Sequence, residues 1–177
     1  MLTKPEILKA RARGEIEVTP WNPKRLNPNS YNLRLAGDLR FYEPEWVLDA
    51  RTPFEPGPAP LVGGSWILRP GCLYLGVTVE YTRTKHYIPM INGRSSLARL
   101  GVSVHQTGGF GDIGFCGHWT LELAVVVPVR LYPEMKIAQI CWFEPSSIPP
   151  ACDLYAGKYP NEEPVPVASR IHKEFRR

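Results

Sequence analysis

From Trp66 to Phe143 the chain never runs far without a turn residue, and that spacing restricts it to short strands. Pro70-Gly71, Asn92-Gly93, Gly108-Gly109 and Tyr132-Pro133-Glu134 separate runs rich in β-branched and aromatic residues. Those runs are Trp66–Leu68, Cys72–Thr78, Tyr87–Ile91, Val102–His105, Trp119–Val127, Val129–Tyr132 and Lys136–Phe143. Their rhythm predicts an all-β sandwich or barrel with jelly-roll connections. Pro89 makes the third run an edge strand or a bulge. Nineteen prolines and fifteen glycines in 177 residues leave little room for helix. The exception spans Lys4 to Glu15, with Thr3 as cap, Pro5 in the first turn, Ile7, Leu8 and Ala12 on one face, and Gly14 as terminator. A proline-rich stretch follows, then an alternating strand over Ser30–Ala36, and Pro53–Gly64 reads as an irregular loop. One domain over 1–177 is expected, with an N-terminal helical segment (1–20) and a polar, proline-interrupted tail (151–177).

A hydrophobic fraction of 44% with 21% charged residues is ordinary for a globular protein. The net charge of +4 suits an anionic ligand and equally a slightly basic surface with no partner. The basic residues are dispersed rather than gathered into a stripe, which argues against nucleic acid. No stretch resembles a signal peptide or reaches the ~18 apolar residues of a membrane span. A cytoplasmic, reduced location without membrane contact is expected. The four cysteines stand singly, and Cys72, Cys116 and Cys141 lie in strand-like runs that predict buried free thiols.

Polar chemistry concentrates in Asn92-Gly-Arg-Ser-Ser-Leu-Ala-Arg99, Thr107-Gly-Gly-Phe-Gly-Asp112 and Thr120-Leu-Glu122. Such a cluster is able to hold a phosphate chain, a sugar hydroxyl and a reacting water. Alternation along Trp119–Val127 puts Trp119, Leu121, Leu123 and Val125 on one face, and His118, Thr120, Glu122 and Ala124 on the other. Glu122 is then either a lone carboxylate whose burial raises its pKa into a useful range, or a solvent-facing residue on an exposed sheet. Arg94 and Arg99 flank Ser95 and Ser96 in what is either a phosphate-binding turn or a short helical turn with surface arginines. Asp112 lies among Gly108, Gly109, Gly111 and Gly114, where close backbone approach to a ligand is open but aspartate is also an ordinary turn residue.

Zinc-dependent base deamination requires His-x-Glu with a later Pro-Cys-x-x-Cys, and His172-Lys-Glu174 has no cysteine after it. Walker, Gly-x-Ser-x-Gly and His-Glu-x-x-His patterns are missing as well. A reaction without protein-bound zinc is expected.

Taken together, these segments resemble the dCTP deaminase family of the dUTPase-like superfamily. The likeness runs through Gly14-Glu-Ile-Glu-Val18, Pro28-Asn-Ser-Tyr-Asn-Leu-Arg-Leu35, Leu75-Gly-Val-Thr-Val-Glu80 and Gly93-Arg-Ser-Ser-Leu-Ala-Arg-Leu-Gly101. It continues through Thr107, Asp112, Gly114-Phe115 and Gly117, then Thr120-Leu-Glu-Leu123, Tyr155, Gly157-Lys-Tyr159 and Ser169-Arg170. Only the loop between about Glu43 and Gly64 has no counterpart.

The resemblance implies a distorted β-barrel (jelly-roll) homotrimer with a short N-terminal helix and active sites between subunits. The implied reaction is zinc-independent hydrolysis of dCTP to dUTP and ammonia, with Mg2+ carried by the triphosphate. Glu122 would shuttle protons, with Arg99 and Ser95 orienting the water. Arg94, Ser95 and Ser96 would hold phosphates of a nucleotide in a neighbouring subunit, Asp112 the 3′-hydroxyl, and Thr120 and Leu121 would contact the nucleotide. Tyr155 and Lys158 would close as a lid, and dTTP would act as a feedback inhibitor. One alternative is a bifunctional enzyme that also cleaves dUTP to dUMP and pyrophosphate, Asp112 helping to activate the second water. Another is a non-catalytic deoxynucleotide-binding regulator.

Four positions depart from the family pattern. Asn32 replaces an aspartate, Gly108 an alanine, Gly111 an isoleucine, and Glu162 a nucleotide-contacting glutamine. Gly108 is expected to loosen the wall beside the base, Gly111 to make the hairpin more mobile, and Glu162 to alter nucleotide recognition.

Overall fold

The computed structural model describes residues 1–151, 154–159 and 163–175. Helix α1 (Lys4–Ala12) begins where the Thr3 N–H donates to Glu6 Oε2 at 3.2 Å. It ends three residues short of the predicted Glu15, and Gly14 adopts φ +66° just beyond it. Its buried face is Ile7 and Ala10, three apart, so Leu8 turns outward instead of joining the core.

The strands are β1 (Ile16–Thr19), β2 (Tyr31–Arg34), β3 (Arg40–Phe41), β4 (Gly57–Pro58), β5 (Trp66–Leu68) and β6 (Tyr74–Thr84). After them come β7 (Ile88–Gly93), helical turn α2 (Ser95–Ala98), β8 (Val102–Ser103), β9 (Cys116–Val125), β10 (Val129–Leu131) and β11 (Lys136–Phe143). The architecture is mostly β. One sheet has the order β4-β3-β6-β9-β8, with β1 also pairing β6. A second is β2-β11-β7, and β10 pairs β5. Pro89 lies on β7, at the edge of its sheet, where its missing N–H costs no ladder bond. Tyr31, Leu33, Leu35, Leu68, Leu121, Leu123, Leu131, Ile137 and Ile140 form the centre of the core.

The sequence pattern stops β6 at Thr78. The structure carries the strand through to Thr84 by burying the Glu80 carboxylate with partners. Glu80 Oε1 accepts from Arg25 Nη1 at 2.6 Å and from Arg34 Nε at 2.7 Å, while Oε2 accepts from the Arg34 backbone N–H at 2.7 Å. A buried charge is tolerable when it is paired and hydrogen-bonded on both oxygens. Strand β1 falls in what reads as a proline-rich stretch, since four residues ended by Pro20 give little pattern. Of the three cysteines expected to be buried, Cys141 is, whereas Cys72 and Cys116 are partly exposed, and all three are free. No helix among the described residues is long and apolar enough to cross a membrane.

Candidate nucleotide site

Strand β9 turns His118, Thr120 and Glu122 toward a cavity of about 540 Å3. The hairpin after Thr107 closes one side with Gly108 and Asp112, and the chain near the C-terminus contributes Tyr155, Tyr159 and Val167. Val167 is fixed there by its backbone N–H, which donates to Thr120 Oγ1 at 3.1 Å. Glu122 is half-buried, and burial pushes its pKa upward, opposed in part by the backbone N–H of Gln106 and by its own. No carboxylate pairs with it to complicate that shift among the described residues, and its proton is exchangeable at a pH closer to neutral than an exposed glutamate allows.

The hairpin differs from expectation at Gly111. This residue is buried, its N–H donates to Pro89 O at 2.9 Å, and a Cβ there would sit 2.4 Å from the Trp119 ring and 2.9 Å from Pro89 Cγ. The glycine is therefore demanded by close packing and fastens the hairpin to β7 and β9. At Gly108 a Cβ would stand 3.6 Å from each Glu122 carboxylate oxygen, so the wall beside the glutamate lacks one methyl-sized contact.

The arginine-serine turn lies elsewhere. Arg94, Ser95 and Ser96 line a second concavity of about 310 Å3 with Asn27, Ser30, Asn32 and Gln139, and it shares no residue with the first. The Ser95 and Ser96 residues are exposed at the start of α2. Arg99 is exposed too, its Nη1 donating to Ser95 O at 3.3 Å. One chain thus brings Glu122, Thr120, Asp112 and Tyr155 together, and separately Arg94, Ser95 and Ser96. Leu121 is in the core, offering only its backbone to a ligand. Lys158 pairs with Glu174, and Glu162 lies outside the described residues.

A model of dCTP deaminase-like proteins matches residues 1–144. The chain belongs to the dCTP deaminase-like family. A protein of Clostridium beijerinckii named "dCTP deaminase, dUMP-forming" is 43% identical over 176 residues, covering 99% of this chain and 98% of that one. One of the same name from Cytophaga hutchinsonii is 42% identical over 169 residues, 95% of each chain. The crystal structure of 2′-deoxycytidine 5′-triphosphate deaminase from Agrobacterium tumefaciens has the same fold at TM-score 0.60 and 18% identity, covering 80% of this family member. This chain spans 46% of the length of that solved chain.

These names correct the expected end product. dUTP, and with it a place in dUTP biosynthesis, does not stand beside relatives named for forming dUMP. The alternative that removes pyrophosphate as well is the one they favour. Three residues of this family member's cavity escaped sequence reasoning: Tyr42, Leu48 and Val167. They come from segments far apart in the chain, and no local pattern marks them. Among the described residues no group of three or more His, Cys, Asp or Glu is placed to hold a metal ion.

Proposed function

We propose that this chain hydrolyses dCTP to dUMP, ammonia and pyrophosphate, consuming two waters. The observation that carries the reading is Glu122, a half-buried carboxylate with a raised pKa on the wall of a nucleoside-sized cavity. The names of relatives matching nearly the whole chain support the choice of product.

Glu122 takes a proton from the water that attacks C4 of cytosine, delivers it to N3, and then moves a second proton to the departing amine. The products of that step are dUTP and ammonia. In the second step water attacks the α-phosphorus, and the bond to the bridging oxygen breaks to release pyrophosphate. Asp112, on the hairpin side of the cavity, is assigned to the sugar 3′-hydroxyl and to the second water. Tyr155 stacks over the nucleoside from the tail side, with Thr120 and the Leu121 backbone beside the base. Mg2+ enters on the triphosphate as part of the substrate and screens its charge.

The phosphates require cations, and among the described residues no lysine or arginine lines the Glu122 cavity. Arg94, Ser95 and Ser96 supply donors in a separate concavity, which supports a homo-oligomer, a trimer by family resemblance, whose sites combine the two concavities from neighbouring copies. Ser95 and Arg99 then orient the water from the neighbouring copy. dTTP shares the sugar and triphosphate and is expected to compete for the same site.

The test is a product assay with dCTP and Mg2+ that resolves dUTP, dUMP, ammonia and pyrophosphate. Equal amounts of ammonia, dUMP and pyrophosphate are expected. Accumulation of dUTP equal to the ammonia released would refute the second step, and release of no ammonia would refute the first.

A further inference from the structure

We infer that Asn32 is a positioning residue for phosphate binding: it holds Arg94 through an uncharged acceptor and so leaves the guanidinium charge available to a pyrophosphate group. The inference rests on the proposed nucleotide chemistry only for the identity of the ligand. Arg94 Nε donates to Asn32 Oδ1 at 3.1 Å, and Nη1 donates to Lys136 O at 3.1 Å. Both acceptors are neutral. Among the described residues Arg94 forms no ion pair. The nearby arginines differ, since Arg25 and Arg34 are both committed to the buried Glu80.

Asn32 is itself held in one orientation. Its Nδ2 donates to Arg25 O at 3.2 Å and to Asn27 Oδ1 at 3.1 Å, so Oδ1 must face Arg94. From Asn27 the chain of bonds continues through Nδ2 to Ser30 Oγ at 3.0 Å, and from Ser30 Oγ to Gln139 Oε1 at 3.4 Å. Gln139 Nε2 donates to Gly93 O at 3.3 Å, which closes the ring at the residue preceding Arg94. The ring crosses all three strands of the β2-β11-β7 sheet and lines the concavity that holds Ser95 and Ser96. Every member apart from the arginine is uncharged. This partly buried ring of hydrogen bonds holds the guanidinium in place without neutralising it. An aspartate at 32 would lose both donated bonds and place a carboxylate against Arg94, in competition with phosphate oxygens for the same charge.

The experiment compares wild type with Asn32→Asp, using calorimetric titration with pyrophosphate and steady-state kinetics on dCTP. Asn32→Asp is expected to weaken pyrophosphate binding by ~10-fold and to raise KM for dCTP by a similar factor, with kcat little changed and a shallower salt dependence. Gln139→Glu, which puts a carboxylate into the same ring from another strand, is expected to act in the same direction and serves if Asn32→Asp does not fold. Unchanged pyrophosphate affinity in a folded variant overturns the inference, as does a fall in kcat with KM unmoved or a wild type that binds no pyrophosphate. A wild type that binds pyrophosphate through this charge but turns over no dCTP refutes the proposed activity and leaves the inference standing.

Discussion

Replacing Glu122 by glutamine separates the chemistry of this side chain from its shape. The two side chains are nearly isosteric, and the Gly108 wall leaves ordinary contact distance to both carboxylate oxygens, so the variant fits without repacking. What it loses is the exchangeable proton. A positioned general acid–base group contributes at least ~100-fold, or ~2.7 kcal/mol of barrier, and ammonia release from dCTP is expected to fall by that much. Stability moves the other way. Burial raises the pKa of Glu122, so the folded state favours the protonated form. That contribution is fully present below the unfolded pKa and is lost as pH rises through the folded one. Glutamine mimics the neutral form at every pH. Glu122→Gln is therefore expected to match wild-type stability in acid and to exceed it increasingly as pH rises through the folded pKa, measured by urea unfolding across pH. Wild-type turnover should show an acid limb above the ordinary glutamate range that the variant lacks. Ammonia release within a few-fold of wild type, or a variant less stable than wild type near neutrality, would refute the reasoning.

Gly111→Ala forces a Cβ to within 2.4 Å of the Trp119 ring and is expected to cost ~1–3 kcal/mol by overpacking; an unchanged urea midpoint would show that the hairpin is not fastened as described. Co-expression of Glu122→Gln with Arg94→Ala, each inactive alone, is expected to recover roughly a quarter of the wild-type rate per site, because random assembly pairs an intact Glu122 cavity with an intact arginine turn at that frequency. No recovery in oligomers shown to contain both variants would place the whole site within one chain.

The sequence made the face of Glu122 legible because β9 alternates without interruption from Thr120 to Val125, and burial follows that alternation. The arginine-serine segment was readable as a turn: α2 is a short helical turn, and Arg94 just before it borders a concavity of about 310 Å3. The burial of Glu80 left no mark in the sequence, because its partners Arg25 and Arg34 are distant along the chain. Gly111 misled for a related reason. A glycine reads as freedom, whereas the volume around it is set by Trp119 and Pro89. The separation of the two concavities was legible only through the family resemblance, since proximity along the chain between Arg99 and Glu122 says nothing about which way each segment faces.

The wedge at Gly111 bears on the two successive hydrolyses proposed above. Asp112 follows directly on a residue clamped between Trp119 and Pro89, and Trp119 belongs to the same strand as Glu122. The two carboxylates are thus mounted on one stiff frame, like jaws cast in a single piece. Such a frame cannot retool between attack at a base carbon and attack at phosphorus. The spacing between the two carboxylates is set in the mould, so in the proposed double hydrolysis it is the nucleotide that shifts from one task to the next.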